Sequence, residues 1–312
     1  MAGLLDSIDQ RTNLVGENRL EILMFRLERG HVFAINVFKI QEVQQMPKLS
    51  ILPSSHPSVV GVTHYRGKTI PVIDLSRAIG MPPLSDTKTC NIIIAEYNNS
   101  VQAFLVKCVE RIINLNWSDI LPPPKGAGRY HYLTAISKIE GKIVEIIDVE
   151  KVLQEIHPYN STVSEDVLDV EVVQMAAGLE LLAVDDSSVG ISQVRDTVSQ
   201  LGIQVLTASD GAKALAMLKK WADAGIDVNK KLVCVITDAE MPEMDGYRLT
   251  TEIRNDPRLK DLHVILHTSL SGSFNNAMVK KVGCDDFLSK FEPDKLAGAV
   301  QECVRVFRQK YP

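Results

Sequence analysis

Short apolar runs separated by glycine, proline and asparagine fill the first half of the chain. They fall at about residues 20–28, 32–40, 59–63, 69–75, 91–97, 101–106, 109–115 and 143–149. Turn-forming residues stand between them, as at Gly67, Asn98–Asn99 and Pro122–Pro124. Many short strands with turn signals between them predict one or two small antiparallel barrels.

The second half alternates apolar strand-like runs with helical patterns. The strands are predicted at 179–184, 202–207, 231–237, 262–267 and 284–289, and the helices at 188–201, 210–222, 247–255, 272–282 and 293–309. Regular β-α alternation predicts a parallel sheet with helices on both faces. We therefore expect a doubly wound, flavodoxin-like α/β domain with strand order 2-1-3-4-5.

A polar, acidic segment separates the two patterns. Residues 157–176 are rich in serine, asparagine, aspartate and glutamate and favour an interdomain linker. The predicted organisation is an N-terminal extension at 1–18, an all-β domain at 19–156, the linker, and an α/β domain at 177–312.

Composition excludes several classes of protein. A formal charge of -5 over 312 residues gives no support for nucleic-acid binding. No apolar run approaches the ~20 residues that cross a bilayer, and the N-terminus lacks a signal-peptide pattern. Because no run is long enough to cross a bilayer, we expect no direct membrane insertion. The 5 cysteines form no CxxC pair, which indicates a reduced, cytoplasmic protein.

Three carboxylates follow strands of the predicted α/β domain. Asp185 and Asp186 come after the first strand, and Asp238 comes after the third. In the order 2-1-3-4-5 these strands are neighbours, so the three groups should meet at the carboxyl edge of the sheet. Crowded carboxylates repel each other, and a cation with hard oxygen ligands, such as Mg²⁺, removes that repulsion.

A hydroxyl and an ammonium complete the edge. Thr268 ends the fourth strand and Lys290 ends the fifth. Together with the metal they could hold phosphoryl oxygens while Asp238 acts as the nucleophile. A single aspartate in such a place is usually a helix N-cap, as Asp210 is predicted to be, so the hypothesis depends on the whole set.

Four segments of this domain resemble the receiver domain of response regulators: LLAVDDS (181–187), VITDAEMPEMDG (235–246), LHTS (266–269) and GCDDFLSK (283–290). The resemblance implies that Asp238 is the phosphoacceptor and that Thr268 and Lys290 contact the phosphoryl group. It also implies a switch role for Phe287 and Mg²⁺ ligands at Asp185, Asp186, Asp238 and the backbone carbonyl of Glu240. Receivers usually have proline directly after the lysine, where this chain has Phe291. The resemblance therefore does not predict the conformation of the turn after Lys290.

The first domain resembles the CheW-type coupling domain, an SH3-like double small barrel. GVTHYRGKTIPVIDLSRAIG (61–80) carries the resemblance, with support from FKIQEV (38–43) and ILP (51–53). It implies partner contacts for Arg66 and Glu42. No catalytic constellation is visible in this domain, and Asp74 is predicted to cap a turn or pair with a neighbouring basic group.

The two resemblances together identify the arrangement of the CheV family of chemotaxis scaffold proteins. They imply a non-enzymatic protein that links chemoreceptor cytoplasmic tips to the histidine kinase CheA. Two alternatives remain. One is a haloacid-dehalogenase-like phosphatase, which also uses a strand-end aspartate, Mg²⁺ and lysine but needs a D-x-D-x-T motif. The other is a receiver-regulated adaptor for an unrelated partner.

Overall fold

A computed structural model describes residues 19–37, 40–97, 100–116, 119–121, 132–241, 243–268 and 282–311. The predicted extension at 1–18 lies outside them, as does the predicted helix 272–282 apart from its last position. The described chain divides into two compact units, Arg19–Pro158 and the residues from Tyr159 onward. The domain boundaries at 156 and 177 stay predictions.

The first unit is built from short strands. They are β1 (Arg19–Arg26), β2 (Val32–Asn36), β3 (Ile40–Gln45), β4 (Val59–Tyr65), β5 (Lys68–Asp74), β6 (Asn91–Tyr97), β7 (Ser100–Val106), β8 (Cys108–Asn116), β9 (Ile120–Leu121), β10 (Leu133–Ile139) and β11 (Lys142–Ile147). The run predicted at 32–40 is thus divided between two strands. Helices α1 (Leu75–Ala78) and α2 (Val149–Ile156) follow β5 and β11, and short 3-10 turns lie at Glu28–Gly30 and Thr87–Thr89.

These strands form two sheets with the orders β8-β1-β2-β11-β10-β9 and β3-β6-β7-β5-β4. Most neighbours are antiparallel, as predicted, and each sheet contains a parallel pair, β2 with β11 and β5 with β7. The segment after β3 bridges to β4 through Ser50 and Val62, although β3 and β4 are opposite edges of their sheet. That sheet is therefore curled towards closure.

Alternate residues of the apolar runs enter different cores. In β1, Ile22 and Met24 pack inside the first sheet, whereas Leu23 and Phe25 pack in a cluster that also contains Phe104 of the second sheet. Successive side chains of a strand point to opposite faces, so a strand buried on both faces must be apolar throughout. This explains why the sequence shows continuous apolar runs where a half-exposed sheet would show alternation.

The second unit is a parallel sheet covered by helices. Its strands are β12 (Glu180–Val184), β13 (Gln204–Ala208), β14 (Leu232–Thr237), β15 (Val264–Thr268) and β16 (Asp286–Ser289). Their order, β13-β12-β14-β15-β16, confirms the predicted 2-1-3-4-5 arrangement. Its helices are α3 (Val170–Ala176), α4 (Ser188–Val198), α5 (Gly211–Asp223), α6 (Val228–Lys231), α7 (Gly246–Asn255) and α8 (Pro293–Lys310), with a 3-10 turn at Ser199–Leu201.

Local capping explains several element boundaries. The Asp210 carboxylate accepts a hydrogen bond from the Lys213 amide and caps α5, as predicted. Asp74 caps α1 by accepting from the Arg77 amide, and its second oxygen accepts from the Leu84 amide. Such caps satisfy amide groups that the first helical turn leaves without backbone partners.

The segment predicted as a linker has structure of its own. Helix α3 lies within residues 157–176, and Val172 and Ala176 are buried in the same cluster as residues of α8. A few well-placed apolar residues bury part of this polar segment against the second unit, and its assignment as the interdomain linker stays a prediction. None of the helices among the described residues has the length and apolar character needed to cross a bilayer.

Candidate functional site

The ends of β12 and β14 bring the three predicted carboxylates together. The two strands pair in parallel with Val184 opposite Thr237, so Asp185 and Asp238 leave neighbouring strands at the same level. One oxygen from each of Asp185, Asp186 and Asp238 lies within 4.8 Å of the others. Asp185 and Asp238 are buried, and Asp186 is half-buried.

Lys290 places a buried cation against this cluster. Its Nζ lies 2.8 Å from Asp185 Oδ2 and 3.0 Å from Asp238 Oδ2, and the residue is only 1% exposed. The remaining oxygens of the two buried carboxylates accept backbone hydrogen bonds, Asp185 Oδ1 from the Ser187 amide and Asp238 Oδ1 from the Ala239 amide. One ammonium and two amides thus stabilise carboxylates that burial alone would disfavour.

The donor set fits Mg²⁺. Three carboxylates and one lysine leave a net negative charge at the sheet edge, and all the candidate ligand atoms are hard oxygens. Asp185, Asp186 and Asp238 would hold the ion. The contribution of the Glu240 backbone carbonyl stays a prediction.

Two glycines leave room for the site. A Cβ at Gly190, in α4, would lie 2.1 Å from Asp185 Oδ2. A Cβ at Gly246, which begins α7, would lie 2.1 Å from the Asp238 backbone oxygen. Any side chain at either position would displace a site aspartate. The sequence analysis gave neither glycine a role in the site, although each stands near the start of a helix that follows a site strand.

Gly190→Ala is expected to weaken Mg²⁺ binding about tenfold or more, because the added methyl must push the Asp185 carboxylate from its place beside Lys290. A Mg²⁺ titration by calorimetry measures the effect. Gly298→Ala is the matched control, since a Cβ at this position in α8 meets open space. It should leave Mg²⁺ affinity unchanged and stabilise the helix by about 0.5–1 kcal/mol. Equal Mg²⁺ affinities for the two variants would contradict the proposed crowding at Asp185.

Thr268 and Phe287 lie on the strands beyond β14. Thr268 ends β15, is buried, and accepts a backbone hydrogen bond from the Lys290 amide at 3.0 Å. Phe287 lies opposite Leu266 in the β15–β16 pair and packs, half-buried, against a cluster that contains Tyr247. Burial raises the pKa of the Tyr247 hydroxyl further above neutrality. The functional roles of Thr268 and Phe287 stay predictions.

The two predicted contact residues of the first unit meet each other. Arg66 Nη2 lies 3.5 Å from Glu42 Oε2, and the Arg66 guanidinium lies 5.0 Å from the centre of the Tyr65 ring. A hydrogen bond from Gln44 is the main cause that lowers the pKa of Glu42, and Arg66 adds to it. The Arg66 side chain is 70% exposed, so this charged pair faces solvent. It lies where the edges of the second sheet approach each other.

Family comparisons match both units. Residues 21–157 match the CheW-like domain, and residues 181–301 match the response regulator receiver domain. The chain is 31% identical over 282 residues to the chemotaxis protein CheV3 of Helicobacter pylori (strain ATCC 700392 / 26695), covering 87% of this chain and 88% of that protein. The chain belongs to the CheV family of chemotaxis proteins.

Two further relatives support membership in the CheV family along the full chain. CheV1 of the same strain is 26% identical over 321 residues, covering 97% of this chain and 98% of its own length. CheV2 is 28% identical over 308 residues, covering 92% and 95%. The family combines a CheW-like domain with a receiver domain, and both predicted resemblances are thereby confirmed.

Proposed function

We propose that this CheV-family protein couples chemoreceptor cytoplasmic tips to the histidine kinase CheA and is regulated by phosphorylation of Asp238. One observation carries the proposal: a buried Asp–Asp–Lys cluster at the sheet edge occurs on the same chain as a CheW-like unit. Array association through protein contacts in the cytoplasm follows from this function.

The cluster suits transfer of a phosphoryl group to an aspartate. An Asp238 oxygen forms a bond to the phosphorus of a phosphohistidine, the P–N bond breaks, and the imidazole leaves with the electron pair and takes up a proton. Mg²⁺ held by the three carboxylates would neutralise the charge that develops on the phosphoryl oxygens. The nearby Lys290 ammonium, 3.0 Å from Asp238 Oδ2, needs only a small displacement to contact a phosphoryl oxygen.

Phosphorylation would then change the packing of neighbouring strands. Thr268 and Lys290 move towards the new phosphoryl oxygens, and Phe287, at the half-buried face of β16, repacks into the space that Thr268 leaves. Only a difference in contacts between the two states can transmit the signal to a partner.

The arrangement of acids favours this proposal over a phosphatase. In the phosphatase alternative the second acid lies two residues after the nucleophile and is followed by threonine. Here Glu240 stands where the motif has its second aspartate and Pro242 stands where it has threonine, and the acidic pair follows a different strand, β12.

A reconstituted array of receptors and CheA tests the function. Addition of a phosphodonor for Asp238 should change kinase activity in the presence of the wild-type protein and leave it unchanged with Asp238→Asn. Equal activity with and without phosphate on the wild-type protein would remove the regulatory proposal while leaving the coupling proposal in place.

Arg66→Asn is expected to weaken binding to receptor tips or CheA by about tenfold, because the variant removes an exposed cation while asparagine tolerates the left-handed backbone at φ 46°. Glu140→Asn is the matched control. Glu140 also has a left-handed backbone, at φ 48°, and precedes a glycine in a tight strand connection. Pull-down with both partners measures the effect, and equal losses in the two variants would show a general effect of turn substitution.

A further inference from the structure

Residues 159–176 precede the receiver match at 181–301 yet are bound to the receiver unit. We call them the receiver-bound segment. Val163 is 3% exposed and lies in the core cluster that contains residues of α4 and α8. The Val163 amide donates to Gln200 Oε1 at 3.0 Å, and Gln200 Nε2 donates to the Ser161 carbonyl at 2.7 Å. The segment is therefore held by both apolar and polar contacts.

Helix α8 provides most of the remaining anchors. The Gln301 side chain accepts from the Asp169 amide at 2.8 Å and donates to the Val167 carbonyl at 2.9 Å. Arg305 pairs with the Asp169 carboxylate at 2.7 Å. These bonds run along α8, whose first turn begins at Pro293, three residues after Lys290.

The segment contacts both the turn that follows Lys290 and the first turn of α8. The Tyr159 ring lies 5.5 Å from the Phe291 ring at an interplanar angle of 65°. The Ser164 amide and hydroxyl both donate to the Asp294 carboxylate at 2.8 Å, and these bonds lower its pKa. Tyr159 and Ser164 thus contact Phe291, within the turn that follows Lys290, and Asp294, in the first turn of α8.

Phe291 needs such support because its backbone is left-handed. Its φ is 65°, a conformation that is costly for a bulky residue. An edge-to-face contact with a second aromatic ring stabilises it. Burial raises the pKa of Tyr159 to about 12, so its hydroxyl stays protonated and donates to Asp196 Oδ2 at 3.2 Å.

We propose that Tyr159 is a positioning residue of the phosphorylation site: through Phe291 it holds Lys290 in the arrangement that pairs with Asp185 and Asp238. Phosphorylation requires a new position for the Lys290 ammonium, and Phe291 shares a peptide bond with Lys290. The docked segment therefore favours the unphosphorylated state. By thermodynamic linkage, phosphorylation weakens docking of the segment by the same factor by which docking disfavours phosphorylation. This inference rests on Asp238 being the phosphoacceptor.

The test uses the full chain with Mg²⁺ and beryllofluoride as the phosphoryl mimic. Tyr159→Ala is expected to raise beryllofluoride affinity roughly 3- to 10-fold, the range that one aromatic pair can supply. Tyr159→Phe keeps the ring contact and should stay within about twofold of wild type. Arg258→Gln, which removes ion pairs with Asp223 and Asp256 outside the receiver-bound segment, is the control and should also match wild type.

A double-mutant cycle separates direct coupling from general loosening. Phe291→Gly removes the ring and suits the left-handed backbone, so Tyr159→Ala should have no further effect on affinity in that background. Additive effects would overturn the inference, as would a Tyr159→Phe variant that behaves like Tyr159→Ala.

Hydrogen exchange measures the reciprocal effect. The amides of Val163 and Ser164 donate to Gln200 and Asp294. Beryllofluoride should accelerate their exchange by the factor by which docking of the segment lowers beryllofluoride affinity. If the wild-type protein binds no beryllofluoride, phosphorylation at Asp238 is wrong. If it binds and Tyr159→Ala binds equally, only the role of Tyr159 is wrong.

Discussion

Asp238→Asn is expected to abolish incorporation of phosphate from phosphorylated CheA, a loss of at least about a thousandfold in rate, since the amide cannot act as the nucleophile. Asparagine keeps the shape of the side chain and can still accept the hydrogen bond from the Ala239 amide. The fold and binding to receptor tips should therefore persist. Transfer of radioactive phosphate from the kinase, measured over time, gives the rate.

Asp286→Asn is the matched control for this experiment. Asp286 begins β16, at the opposite end of the strand from Lys290, and pairs with His263 at 2.9 Å. Its loss removes one carboxylate from the same unit without altering the cluster. Unchanged labelling of Asp238→Asn, or equal loss in the control, would show that Asp238 is not the phosphoacceptor.

Lys290→Met should lower the free energy of unfolding by about 3–5 kcal/mol in the absence of divalent cations. The substitution leaves two buried carboxylates, Asp185 and Asp238, without their ammonium partner. Added Mg²⁺ should recover part of the loss, because it supplies positive charge to the same oxygens. Denaturant titrations with and without Mg²⁺ measure both values.

Lys231→Met provides the comparison for a half-buried ion pair. Lys231 pairs with a single carboxylate, Glu180, and both side chains are 25% exposed. Its removal should cost about 1 kcal/mol or less, and Mg²⁺ should not change that cost. A similar response to Mg²⁺ in the two variants would mean that the cation does not bind beside Lys290.

The receiver fold could be predicted from sequence because its pattern is local. Each strand is a short apolar run and each helix a periodic stripe, and right-handed crossovers then restrict the sheet order. Strand ends fix where Asp185, Asp238 and Lys290 lie, so their convergence followed from the order alone. The sequence could not show that Lys290 already pairs with both carboxylates, since that depends on side-chain distances.

Contacts between distant parts of the chain were harder to predict. Glu42 and Arg66 meet because the opposite edges of one sheet approach each other, which strand patterns do not reveal. Helix α3 is short and lies in acidic sequence, and it is stabilised by burial against α8 more than by its own propensity. The contact of Tyr159 with Phe291 likewise arises only in the folded unit.

The receiver-bound segment also sets the length of free chain between the two units. Residues 159–169, once released, would behave as a flexible tether with an average reach on the order of 20 Å. While residues 159–169 are bound along α8, they add almost nothing to the distance that the free chain can span. Release would therefore change the effective concentration of one unit near a site bound by the other. Avidity for a receptor lattice, and not only affinity at one surface, is then expected to depend on whether the segment is docked.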